Sequence, residues 1–264
     1  MTAQTTHHVE IDAGVALVTL ARPDVRNAFN AAMIAELTAT FTTLGADPEL
    51  CAVVLLGEGK TFCAGADVGW MREAATRDAV GNRVDAQKLA DMFSALAAIP
   101  CLTVSAVTGA ALGGGAGLAA ATDLCIAEDG CKFGFTEVRL GIIPAVISAF
   151  VVPAIGERAA RGLFASGSIF DAQFAKSIGL VTEVVPEGMA KERAMSFARD
   201  ARGVAPLASR RAKRLPAEVR RRSGSDLLGW LANEIAEVRG LPEAREGLAA
   251  FIEKRSPAWD RRTS

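Results

Sequence analysis

Two glycine-rich segments and one glutamate carry the chemistry this chain could do. The segments are Phe62-Cys63-Ala64-Gly65-Ala66-Asp67 and Gly109-Ala110-Ala111-Leu112-Gly113-Gly114-Gly115-Ala116-Gly117. Each follows an apolar, strand-like run (51–56 and 102–107) and precedes a helix-like stretch. At such turns backbone amides point outward without partners, and glycine lets a ligand or a second backbone approach closely. Two amides from two turns, meeting at one point, would form an oxyanion hole. Beyond them lies Glu137, in Lys132-Phe133-Gly134-Phe135-Thr136-Glu137, a carboxylate able to move protons beside such a hole.

Other chemistries fit these residues less well. A dinucleotide loop starting at Gly113 needs glycine at 118, where Leu118 stands. Gly59-Lys60-Thr61 resembles the end of a phosphate loop, but the glycine required at 54 is Val54. A purely structural glycine cluster, bringing a helix close to a strand, stays open. Asp67, just before a helix, reads first as an N-cap. His7 and His8 are the only histidines and fall in a terminal segment expected to be mobile, so neither a Ser-His-Asp mechanism nor a histidine metal site can be built. Cys63 lacks an activating neighbour and reads as an inert thiol. On its own, Glu137 could equally be a surface carboxylate paired with Arg139.

The elements that must position these groups follow from periodicity. Residues 8–11 and 15–20 read as a hairpin around Asp12-Ala13-Gly14. Met33, Ile34, Leu37, Phe41 and Leu44 mark a helix from Asn30 that Gly45 would stop. A second helix covers 85–99, ahead of Pro100. Strand 102–107, helix 114–121 and short strands at 124–127 and 132–135 follow. Helices are expected at 142–155, 157–165 and 171–177, the last capped by Asp171, with a final strand at 181–185. From about Met189 the pattern is wholly helical and more charged. Strand–strand–helix units over 1–188, followed by a helical region over 189–264, are therefore expected within an α/β fold.

Bulk properties narrow the setting. The 264 residues are half apolar, enough for a sizeable core, and the formal net charge of −1 gives no global attraction to nucleic acid or anionic lipid. Five scattered cysteines without C-x-x-C spacing argue for reduced core thiols in a cytoplasmic protein. Residues 1–10 are polar and lack the apolar core of a signal peptide, and no apolar stretch is long enough to span a bilayer. The cluster Arg210, Arg211, Lys213, Arg214, Arg220, Arg221 and Arg222 is the candidate nucleic-acid surface; without interleaved aromatics it reads first as a solvated helix face.

Four motifs in order resemble the crotonase (enoyl-CoA hydratase/isomerase) superfamily: a charged turn at 22–29, F-x-A-G-x-D at 62–67, G-x-x-x-G-G-G at 109–115 and F-G-x-x-E at 133–137. The resemblance spans essentially the whole chain. It implies a spiral of strand–strand–helix turns and a C-terminal helical region that builds trimers, usually paired into hexamers. It also implies an acyl-CoA thioester substrate, with CoA part of the substrate and no metal or redox cofactor. By position, Ala66 and Gly114 would supply the oxyanion amides and Glu137 the acid–base group. Arg26, Ala28, Ala64, Gly65, Asp67 and Val68 match positions lining CoA. Phe251 and Lys254 match a tail segment that reaches CoA, in some members from a neighbouring subunit.

One departure bears on mechanism. Well-studied hydratases of the superfamily carry a second glutamate after the glycine run, where this chain has Gly117. A single base is what a double-bond isomerase needs, because one proton moves between two carbons. The stretch from Phe62 through Val68-Gly69-Trp70-Met71, and Thr136-Glu137-Val138-Arg139-Leu140-Gly141-Ile142-Ile143-Pro144, are nonetheless similar to bacterial methylglutaconyl-CoA hydratases of leucine breakdown. That resemblance implies hydration of a carboxylated, branched enoyl-CoA, with Arg139 or Arg83 as candidate partners of its distal carboxylate. The alternatives are 3-enoyl-CoA to 2-enoyl-CoA isomerisation and, outside enzymology, RNA binding through the arginine cluster.

Overall fold

Strands that are apolar at nearly every position need cover on both faces, and this chain supplies it with helices. The computed structural model describes residues 5–262, so the first four residues of the polar start lie outside the described residues. Strand β1 (His7–Asp12) pairs antiparallel with β2 (Val15–Leu20), as the hairpin reading expects. β2 then lies parallel to β3 (Ala52–Gly57), which is followed across the sheet by β4 (Leu102–Val107), β6 (Leu124–Glu128) and β9 (Glu183–Val185). A second sheet holds three short strands: β5 (Ala110–Leu112), β7 (Lys132–Gly134) and β8 (Ile169–Asp171).

The two faces of the large sheet bury different partners. Val18, Leu20, Val53 and Leu55 share one apolar cluster with Met33, Leu37 and Phe41 of α1 (Ala31–Ala46) and with Met92, Phe93 and Leu96 of α3 (Ala79–Ala97). Burial of each large side chain of this kind contributes about 1.5–3 kcal/mol. The alternate residues Ala52, Val54, Val104 and Ala106 face α7 (Ala190–Ala201), which presents Ala190, Ala194, Ala198 and Ala201 at helical spacing. Such small side chains let the helix lie close to the strands.

The helical region expected from 189 begins with α7. α7 belongs to the core, and the helices that leave it are α8 (Pro206–Arg221), α9 (Gly224–Gly240) and α10 (Pro242–Glu253). Gly45 also does not stop α1, which runs on to Ala46. One glycine costs a helix about 1 kcal/mol, less than the buried Leu44 and its neighbours return. The second helix expected at 85–99 begins earlier, at Ala79, because the Asp78 carboxylate caps it by accepting from the Gly81 amide (2.7 Å).

His7 is not in a loose end. It lies in β1 with its ring against α1, Nε2 within 2.8 Å of the Thr40 hydroxyl. The two helices expected at 142–155 and 157–165 are present as α5 (Ala145–Ser166), broken where Gly156 holds φ 76° and ψ 157°. Between the sheets run α2 (Val68–Thr76), α4 (Gly114–Ala121) and α6 (Ala172–Ser177), the last capped by Asp171 as expected.

Candidate active site

The loops after β2, β3 and β4 meet at the carboxyl ends of the parallel strands. Asn27 ties them together from a fully buried position. Its side-chain oxygen accepts from the Arg22 amide (2.8 Å), and its nitrogen donates to the carbonyls of Glu58 (3.0 Å) and Thr61 (2.7 Å). This anchoring holds Arg26 and Asn27 both at φ 55°, a left-handed conformation that costs a non-glycine residue about 1 kcal/mol or more. Arg26 thereby stays exposed while its carbonyl accepts from the Ala64 amide (3.0 Å).

The turn that follows is pinned to the same loop. Phe29 donates to the Gly65 carbonyl (2.7 Å) and accepts from the Asp67 amide (2.8 Å). Asp67 does what its sequence position suggests: one oxygen caps α2 through Gly69 (2.8 Å) and Trp70 (3.3 Å), and the other pairs with Arg22 (3.0 Å). Burial opposes its charge, but the Gly69 amide and the Arg22 guanidinium more than offset it, so its carboxyl is held below the ordinary value. Both oxygens are engaged within the protein, so Asp67 shapes the turn rather than offering a carboxylate to a ligand. Val68 opens α2 and is exposed.

The two amides proposed for the oxyanion hole are left without acceptors. Neither Ala66 nor Gly114 donates a hydrogen bond to the described residues, Ala66 because its bridge to Phe29 uses its neighbours, Gly114 because it begins α4. The turns are close: a methyl on Gly65 would lie 3.7 Å from the Gly114 nitrogen and 2.9 Å from the Leu112 carbonyl. Gly65 holds φ 93° and Gly113 φ 51°, which a side chain would strain. Phe29 packs beneath, its ring 2.5 Å from where a Gly114 methyl would be.

Glu137 faces the same corner. It starts a short 3-10 turn, Glu137–Leu140, after β7, and its Oε1 lies 3.2 Å from the position of a methyl on Gly113. Its Oε2 is buried without a hydrogen-bond partner among the described residues. Burial pushes the carboxyl up from its ordinary value, partly countered by a hydrogen bond from its own amide. No ion pair to Arg139 forms; that side chain lies against Gly167 at the end of α5, with its Cγ 3.2 Å from a methyl placed there. The surface-pair reading of Glu137 therefore falls. Cys63 is an inert thiol, pushed up to about 12 by burial.

Arg26, Ala28, Ala64, Gly65, Ala66, Asp67, Val68, Gly114 and Glu137 are thus brought to one end of the sheet. Phe251 and Lys254 belong to the C-terminal helices. Phe251 is 82% exposed near the end of α10 and Lys254 follows it in a left-handed cap. α8 is docked on the other end, where Arg210 donates to the carbonyls of Asp47, Pro48 and Leu50, and Lys213 to that of Cys101. These contacts also dispose of much of the nucleic-acid candidate. Arg211 pairs with Glu234 and Glu237, and Arg221 and Arg222 pair with Glu218.

Sequence reasoning passed over three contributors. Arg22 and Asn27 are polar residues inside an apolar-flanked turn, a signal of buried polar anchoring. Ile147 of α5 carries no sequence signal, because only the crossing of α4 and α5 brings it to Gly117. A methyl on Gly117 would lie 2.4 Å from Ile147 Cγ2 and 3.1 Å from Phe93 Cε1.

The arrangement matches known proteins along its whole length. Residues 10–262 match the enoyl-CoA hydratase/isomerase family. A relative from Thermus thermophilus bearing the enoyl-CoA hydratase name is 37% identical over 252 residues, 95% of this chain and all of its own. The 2,3-dehydroadipyl-CoA hydratase of Escherichia coli K12 is 31% identical, with 92% of this chain and 94% of that protein covered. The solved structure of Pseudomonas aeruginosa AtuE superposes with a TM-score of 0.93 at 36% identity, covering 97% of this chain and all of that one. Two partnerless amides at paired turns, a buried carboxylate beside them and these matches agree: the chain belongs to the enoyl-CoA hydratase/isomerase family.

Proposed function

We propose that this enzyme adds water across the double bond of a conjugated enoyl-CoA whose acyl group is branched and carboxylated, 3-methylglutaconyl-CoA being the test substrate of choice. The observation that carries the hydratase reading is Glu137, a half-buried carboxylate with one partnerless oxygen beside the oxyanion turn. The thioester oxygen would accept from the Ala66 and Gly114 amides. Each such donor is worth about 3 kcal/mol in the transition state, since negative charge develops on that oxygen only as the enolate forms. Glu137 would take a proton from water as its oxygen bonds to the β-carbon, then return a proton to the α-carbon as the enolate collapses. The raised carboxyl suits both steps, because it makes the carboxylate a stronger base toward water and keeps its protonated form accessible for return of the proton to the α-carbon.

The carboxylated substrate class is supported by the 2,3-dehydroadipyl-CoA hydratase among the relatives, whose named substrate also ends in a carboxylate. The Trp70 indole N–H, one turn into α2 and buried without an acceptor, is a donor that a polar acyl substituent would satisfy. Arg26, Ala28 and the 64–68 turn would line the CoA moiety. We place Phe251 and Lys254 at a neighbouring subunit's CoA in a trimer or hexamer. α8 and α9 bury no residue within the chain, and Phe251 and Ile252 are exposed at the tip of α10, as subunit contacts would require. Among the described residues no helix is long and apolar enough to cross a membrane. Four of the five cysteines are buried free thiols, which supports a reducing compartment.

The test is turnover of 3-methylglutaconyl-CoA, crotonyl-CoA and a 3-enoyl-CoA in heavy-oxygen water, read by mass. Rapid label uptake into the methylglutaconyl product is expected. Label-free conversion of the 3-enoyl substrate alone would establish the isomerase reading, which the lone carboxylate favours.

A further inference from the structure

Gly113 precedes α4 as its N-cap and Gly117 lies four residues on, inside the helix, its amide donating to the Gly113 carbonyl (3.0 Å). Above Gly113 lies the Glu137 carboxylate. Above Gly117 lies Ile147, its Cγ2 and Cβ at 2.4 and 2.9 Å from where a side chain would start. Ile147 is buried in the first turn of α5 and backed by Phe93. Phe93 is itself wedged between Phe29 (ring centroids 6.2 Å, edge-on) and Phe150 (5.7 Å). Ile147 and the aromatic rings behind it therefore fill the space that a side chain at 117 would need.

We infer that Ile147 is a specificity-determining residue: it fills the space beside Gly117 with a methyl group, so the attacking water finds no second protein partner there and the site favours enoyl thioesters that bring their own polar group near the β-carbon. A side chain at 117 cannot supply the missing partner while Ile147 stands in its path. A substrate carboxylate can, because it enters from the open side with the acyl chain. This rests on the hydration reading above and deepens it, naming what selects the substrate.

Ile147→Val and Ile147→Thr form the test pair. Both keep a β-branched side chain of nearly the same volume, and they differ only in a methyl against a hydroxyl. The measurement is kcat/KM for crotonyl-CoA divided by that for 3-methylglutaconyl-CoA. In I147V the ratio stays near that of the unmodified enzyme. In I147T it rises about tenfold, the value of one hydrogen bond to the water. The threonine hydroxyl can turn back onto a helix carbonyl, so Ile147→Gln is measured beside it and is expected to raise the ratio as well. Ratios within about twofold of I147V for both polar variants would overturn the inference. If the unmodified enzyme takes up no heavy oxygen with any enoyl-CoA, the hydration reading itself fails. Label uptake with unmoved ratios defeats the role of Ile147 alone.

Discussion

At the carboxyl ends of β3 and β4 the polypeptide is held by its own backbone; at their amino ends it is held by long cations from the tail. The catalytic end uses bridges between Phe29 and Ala66 and between Cys63 and Ala111, the buried Asn27, and one ion pair, Arg22–Asp67. The tail end uses Arg210 on three loop carbonyls and Lys213 on Asp123 (2.7 Å), whose carboxylate also accepts from the Thr103 amide and hydroxyl. The contrast has a physical reason. Amides that must stabilise a transition state have to be fixed before the reaction, and short backbone links fix them with little entropy left to lose. A docked helix bundle needs only to stay attached, which flexible side chains accomplish.

The contrast can be broken at its strongest point first. Glu137→Gln should lower kcat by about a thousandfold or more, measured in steady-state hydration, because it removes the base. The same variant should melt higher at neutral pH. Burial raises the Glu137 pKa in the folded state, so the proton stabilises the fold below the ordinary value of 4.5, and that contribution is lost as pH rises through the raised value. Glutamine, always neutral, avoids that loss, so the gap in Tm should open with rising pH across this window and close below it. Activity of the unmodified enzyme should rise through the same window on its acid limb.

Ala66→Pro removes one amide that no group among the described residues uses, and should cost about a hundredfold in kcat with little change in Tm. Arg22→Met frees the Asp67 carboxylate from the 22–28 loop. KM for the CoA thioester is expected to rise about tenfold while kcat falls less, since positioning of CoA-lining residues is lost before the oxyanion amides are.

At the tail end the effects should be on stability. Lys213→Met leaves Asp123 and the Cys101 carbonyl short of a partner and should cost about 1–2 kcal/mol in denaturant melts. Arg221→Ala, at a side chain 68% exposed, should change stability by less than about 0.5 kcal/mol. A larger loss of kcat than of stability in K213M would show that the two ends are coupled.

Legibility differed between the regions in the same way. The hairpin, α1, β4 and α4 declare themselves through alternation, 3.6-residue spacing and glycine turns, and the turns in turn locate Ala66 and Gly114. In the second sheet β7 matches the strand expected at 132–135, but β5 and β8 do not declare themselves. Three residues are too few to show a period, and β8 shares Asp171 with the cap of α6. α2 buries no residue, so no apolar stripe marks it. The alanine face of α7 was present at 190, 194, 198 and 201, but small residues carry a weak hydrophobic signal, and a charged surround made the helix read as tail.

The sequence alone determined the local rules: which turns leave amides free, which aspartates cap helices, and that a lone carboxylate follows the glycine run. Those outcomes depend on φ, on nearest neighbours along the chain and on periodicity, all of which are written in order. Only the tertiary structure decided that Glu137 lies over Gly113 with one oxygen unsatisfied among the described residues, that Arg139 turns away to Gly167, that Ile147 fills the space beside Gly117, and that Arg210 and Lys213 dock α8 at the opposite end of the sheet. Each of these depends on two helices or loops crossing at a distance far along the chain, and such a contact is set by the packing of the whole core rather than by either segment.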